Sequence, residues 1–95
     1  MSDDISLTQS DYTAIIEALH TATAQSRGYR DADRCISYVG DVNPAWHAEA
    51  TAFRAWRSAT WEAAYAIAAS VAAGHRTQPD IPAFLGELPV MVWPP

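Results

Sequence analysis

Apolar residues recur at helical spacing along most of the chain. Tyr12, Ile15, Ile16, Leu19 and Ala22 stand three or four positions apart and predict one stripe of a first helix. Thr8 and Asp11 match a capping box at its start, and Leu7 and Tyr12 occupy the two positions of a hydrophobic staple. Gly28 is its stop, because glycine enters the left-handed C′ conformation without a Cβ penalty. This helix is expected over about 9–27. A short second helix is expected between Tyr29 and Gly40, with Asp31 as N-cap. Its buried face would be Ala32, Cys35, Ile36 and Val39.

A long third helix follows. Asn43 is the cap and Pro44 fits the first helical position, where no backbone N–H is needed. Nothing breaks the pattern from about 44 to 73, and Gly74 closes it. Its large residues divide between two stripes. Trp46, Phe53, Trp56, Ala63, Ile67 and Val71 follow one, while Trp61, Tyr65, Ala68 and Ala72 follow another. A helix with two apolar faces needs two things to pack against. At about 1.5 Å per residue the helix spans roughly 45 Å. A compact domain of this length has a diameter of roughly 32 Å. The helix therefore either kinks or projects toward another chain. Its alanine-dense end, 63–73, suits close helix–helix approach, so a homo-oligomer or a docked partner is expected.

Asp80 can cap a last short helix over about 81–87, with Pro82 tolerated in the first turn and Pro89 ending it. Residues 89–95 carry too many prolines to coil and read as an extended apolar tail. The expected fold is all-α. It is a helical hairpin or small bundle with one long central helix, two shorter N-terminal helices, a short C-terminal helix and a Pro-rich tail. The organisation is a disordered leader at 1–7, one helical domain at 8–88 and the tail at 89–95.

Composition narrows the function. The formal charge is −5, from eleven acidic residues against six arginines, with no lysine. Such a chain repels a phosphate backbone, so nucleic acid is disfavoured as a partner. The longest apolar run falls short of the about 20 residues a bilayer span needs, and no membrane partner is expected. Met1-Ser2-Asp3-Asp4 reverses the charge pattern of a secretory signal, which predicts synthesis in the cytoplasm. The single Cys35 has no partner within the chain, which fits a reducing compartment.

Chemistry-bearing motifs are sparse. Glu17 and His20 have the i, i+3 spacing of carboxylate-bridged di-metal bundles. One such motif per chain would need a dimer to complete a site, and a dimeric metal-dependent enzyme is the alternative function. His47 and Glu49, two apart on a helix, point away from each other. Arg34 beside Cys35 would lower the thiol pKa, although a buried structural cysteine is the simpler reading. No Gly-rich phosphate loop, serine elbow or HExxH sequence occurs. No catalytic residue, metal ligand or cofactor is assigned.

The most distinctive cluster is Arg54-Ala55-Trp56-Arg57 followed by Trp61. Arg57 lies four residues before Trp61, so its guanidinium could rest on the indole. Trp56 reads as core, whereas Trp61 with Tyr65 fits either core or interface. Val90, Met91, Val92 and Trp93 could fold back over the helices or insert into a partner. The candidate protein-binding residues are Arg57, Trp61, Tyr65, Val90, Met91, Val92 and Trp93.

Seven stretches carry a resemblance by their order and spacing. They are Arg27-Gly28-Tyr29, Cys35-Ile36-Ser37-Tyr38, Asn43-Pro44, Glu49-Ala50, Ala55-Trp56-Arg57 with Trp61, Ala73-Gly74-x-Arg76-x-x-Pro79, and Glu87-Leu88-Pro89 before Trp93-Pro94. In these the chain resembles small bacteriophage and prophage proteins encoded near tail and tail-fibre genes. The acidic leader and His75 fall outside that pattern. The resemblance implies a virion tail component or an assembly chaperone, bound to a phage tail or tail-fibre protein. It would act in the host cytoplasm during assembly or in the virion tail. The family brings no catalytic residues with it. A small acidic regulator of a host protein is a further alternative.

Overall fold

The computed structural model describes residues 9–95. It contains four helices in chain order, α1 (Gln9–Ser26), α2 (Ala32–Ile36), α3 (Pro44–Ala72) and α4 (Ile81–Glu87). The fold is all-α, and among the described residues there is no strand. The expected leader, and the Thr8 and Leu7 halves of the capping box and staple, lie outside the described residues.

The helix ends follow their capping chemistry. Gly28 takes a φ of 93°. Around it Tyr29 N–H reaches Ala24 O at 3.1 Å and Gly28 N–H reaches Gln25 O at 3.0 Å, a Schellman closure. Gly74 closes α3 the same way, with His75 N–H on Ser70 O at 2.9 Å and Gly74 N–H on Val71 O at 3.0 Å. Asn43 Oδ1 accepts from the N–H groups of Ala45 and Trp46, and Asp80 accepts from Ala83 N–H. The second helix is shorter than expected. After Ile36 the hydrogen bonds tighten to three-residue turns, Tyr38 N–H to Cys35 O and Val39 N–H to Ile36 O. Ser37 Oγ, bonded to Arg34 O, satisfies one of the carbonyls left over. Val39 is half-buried beyond the helix end, not on its buried face.

Helix α3 is one unbroken run of 29 residues, so it spans about 43 Å. The molecule measures 54 × 27 × 18 Å along its principal axes. The long helix is the spine and the other elements lie against it. Helix α1 runs antiparallel to it: His20 meets Thr60, while farther along α1 Arg27 meets Glu49, nearer the start of α3. Helix α2 packs at that second end, and α4 lies at the other.

The core falls into two clusters. The first joins Ala24, Cys35, Phe53 and Trp56. The second joins Ile16, Phe84 and Leu88, covered by Tyr12, Leu19, Trp61, Ala63, Ala64 and Ile67. The stripe of α1 therefore runs through Ile16, His20 and Ala24, and Ala22 is exposed. An imidazole holds a core position that the apolar pattern had passed over.

The tail lies back on the helices. Trp56 Nε1–H donates to Pro89 O at 2.7 Å and fixes where it turns. Beyond that point the side chains alternate, as in any extended segment. Met91 and Trp93 pack on the first cluster, while Val90 and Val92 remain 84% and 78% exposed. Trp93 stacks on Phe53 with centroids 5.9 Å apart.

Candidate functional site

Thr60 is the last fully buried residue of α3. Every residue after it in the helix is half-buried or exposed, and none from Ala63 to Ala73 is charged. Exposed helix faces normally carry charged side chains, so an uncharged stretch of three turns is unusual. Beside it runs a groove of about 310 Å³. Its floor is Ile16, Ala64, Ile67 and Phe84. Trp61, Tyr65, Ala68, Val71 and Ala72 form one wall, and Tyr12, Thr13, Gln78 and Pro79 form the other.

The groove has a firm frame. Tyr12 O–H donates to Pro79 O at 2.6 Å, and Gln78 Nε2–H donates to Tyr12 Oη at 3.0 Å. The Tyr12 ring meets Phe84 edge-on at 4.7 Å. Arg76 forks onto Glu87 with two bonds of 2.7 Å, closing the loop that joins α3 to α4. That hydrogen-bonded guanidinium holds the Glu87 carboxyl below its ordinary range. The resemblance stretches around Arg76 and Glu87 thus meet in space, a pairing that spacing alone did not reveal.

Trp61 and Tyr65 stack at 6.0 Å on the groove wall, and Tyr65 is 61% exposed. Trp61 also turns its ring toward His20, 5.9 Å away. The expected pair of Arg57 with Trp61 is not formed, because the indole faces the core. Among the described residues the guanidinium over an indole belongs to Arg27, 5.6 Å from the Trp93 centroid. The tail candidates divide as well. Met91 and Trp93 are committed to the chain's own core, which leaves Val90 and Val92 facing outward. Arg57, Trp61 and Tyr65 are not brought together with the tail; the groove includes none of Val90 to Trp93.

The Glu17 and His20 pair is separated by burial. Glu17 is exposed, whereas His20 is buried among the rings of Phe53, Trp56 and Trp61. Among the described residues no three of His, Cys, Asp and Glu gather as metal ligands would. Thr60 Oγ1 donates its proton to Arg57 O at 2.7 Å, so it accepts from His20 Nε2–H, also at 2.7 Å. Burial first, and the charge of Arg57 second, lower the imidazole pKa from 6.5. An unfolded chain then binds a proton on His20 more readily than the folded one. Stability contributed by the neutral ring is present above about pH 6.5 and drains away as pH falls below it. We expect the urea midpoint to drop between about pH 7.5 and about pH 5.5, and His20→Gln to flatten that slope. A wild-type midpoint constant across the window would refute the assignment.

Cys35 is buried, and its thiol is pushed up to about 11 by burial and then by the nearby Glu49 carboxylate. The lowering expected from Arg34 does not occur, since Arg34 is exposed to water. A thiol so placed is a packing group with little thiolate at neutral pH.

The opposite end of the spine holds residues that the sequence reading did not assemble. A second pocket, of about 340 Å³, lies between the end of α1, α2 and the start of α3. Arg27, Arg30 and Arg34 line it with Tyr29, Tyr38, Trp46 and Glu49. Glu49 accepts from Tyr29 O–H at 2.7 Å and from Arg27 Nε–H, and these bonds hold its carboxyl below the usual range. Three of six arginines within eight residues was the available signal.

No helix among the described residues is long and apolar enough to cross a membrane. Comparison with protein-family models, with curated proteins and with solved structures gives no match.

Proposed function

We propose that this chain is a non-enzymatic protein-binding module whose groove receives an apolar helix of its partner. On the resemblance described above, that partner is a bacteriophage tail or tail-fibre protein. The chain then serves as an assembly chaperone in the host cytoplasm or as a part of the virion tail. One observation carries the binding role: the uncharged end of α3 beside an apolar groove lined by Trp61 and Tyr65. Grooves of this kind accept a helix through residues at i, i+3, i+4 and i+7. Paired aromatic rings at the wall are the residue types that dominate binding energy. The outer alanines let a second backbone come close.

The test is a photo-crosslinking amino acid placed at Tyr65, used in a host producing phage particles. Exposed Thr51, on the charged stretch of the same helix, serves as the control position. The reading expects an adduct with a tail or tail-fibre protein from position 65 and none from 51. An adduct confined to a second copy of the chain would make the groove a self-association surface instead. Equal adducts from both positions, or none from either, would remove the groove from the account.

A further inference from the structure

The arginine pocket at the far end of the spine is separate from the groove, and its occupant follows from different chemistry. We infer that the pocket formed by Arg27, Arg30, Arg34, Tyr38 and Trp46 binds a short acidic segment of a protein, carboxylate first.

Charge is the first ground. The chain as a whole carries −5, yet the pocket lining sets three guanidiniums against one carboxylate. That carboxylate, Glu49, is already held by Arg27 and Tyr29. Arg27 is further fixed by lying over Trp93, so it is a rigid wall and not a free hand. Arg30 has only a long contact, 3.5 Å, to its chain neighbour Asp31. Arg34 has no ion pair among the described residues. Of the other acids nearby, Asp31 caps Arg34 N–H, Asp41 accepts from Asn43 N–H and Asp33 is exposed, and none of the three lines the pocket. Two guanidiniums without a close acidic partner thus share one concave rim, a like-charge arrangement that an incoming anion relieves.

Shape and surface supply the second ground. Guanidinium forks match carboxylates with two parallel hydrogen bonds. The Trp46 ring, 47% exposed, stands edge-on to Tyr38 at 5.4 Å and offers an apolar wall beside the charges. A peptide with an acidic and an apolar side chain in succession can use both. A nucleic-acid strand fits less well, because the net charge of the chain repels a long polyanion while a short acidic segment meets mainly the local field.

The probe is an end-blocked hexapeptide of alternating glutamate and leucine, added to 15N-labelled protein. Saturable movement of the Trp46 indole N–H is expected, while the indole of Trp56, bonded to Pro89 O, stays put. Binding should weaken as salt rises. The double variant Arg30→Gln with Arg34→Gln should bind on the order of tenfold more weakly, with an unchanged fold since both side chains are exposed. The inference is overturned if a lysine–leucine hexapeptide shifts Trp46 equally, or if the double variant binds as well as the parent. It is also overturned if free glutamate matches the peptide, which would mean a small acid, or if a thymidylate hexamer binds more tightly. These readouts are independent of the groove at Tyr65.

Discussion

Phe53→Ala should cost about 3–5 kcal/mol and lower the melting temperature by tens of degrees. Phe53 is fully buried, and its ring is the hub of the first cluster. It meets Trp56 at 5.5 Å, Trp93 at 5.9 Å and His20 at 6.4 Å. Truncation would leave a cavity bounded by an aromatic tail and two helices, and none of these can shift without breaking a hydrogen bond such as that of Trp56 to Pro89. A domain of this size has a total stability of about 5–15 kcal/mol, so the loss is a large part of it. Thermal unfolding followed by circular dichroism is the measurement. A loss below about 1 kcal/mol would mean that the cluster is not the centre of the fold.

Trp93→Ala should cost about 2–3 kcal/mol, less than Phe53→Ala because the indole is half-buried. The ring stacks with Phe53 and with Tyr29, and Arg27 lies over it. Val90→Ser and Val92→Ser, on the outward side of the same tail, should each stay within about 0.5 kcal/mol. Urea unfolding of the three variants separates two arrangements of the tail. If Trp93→Ala were as mild as the valine variants, the tail would be a loose appendage, and its side chains would be available to a partner after all.

The boundaries of α1, α3 and α4 were legible because local chemistry sets them, whereas α2 stops short of Gly40. Gly28, Gly74, Asn43, Pro44 and Asp80 each act within one turn, and each end falls where its cap requires. The length of α3 was also legible, since residue count fixes it, while the choice between a kink and a straight run was left to the structure, which shows one unbroken helix. The content of the core was less so. His20 is polar by type and its spacing from Glu17 suggested a metal motif, yet Thr60 accepts its proton and three aromatic rings enclose it. The partner that makes burial tolerable lies forty residues away in the chain. Local spacing on one helix cannot register such a bond. The same limit explains Arg57. Its distance from Trp61 permitted a contact, but the direction of the indole is set by His20 and α4, not by α3. The two stripes expected on α3 likewise prove to be flanks of one broad face, with Trp61 and Ile67 covering the same cluster. The groove itself depends on how Pro79 and Phe84 come back to Tyr12, which no single helix encodes.

Met91 and Trp93 complete a cluster whose other members lie between Leu19 and Trp56. A ribosome therefore releases almost every helical residue before that ring is available to close over Phe53. Until then the nascent chain carries Phe53 and Tyr29 without their stacking partner. Closure of this cluster waits on synthesis through residue 93, and a message cut short just upstream yields a protein without the indole that stacks on Phe53.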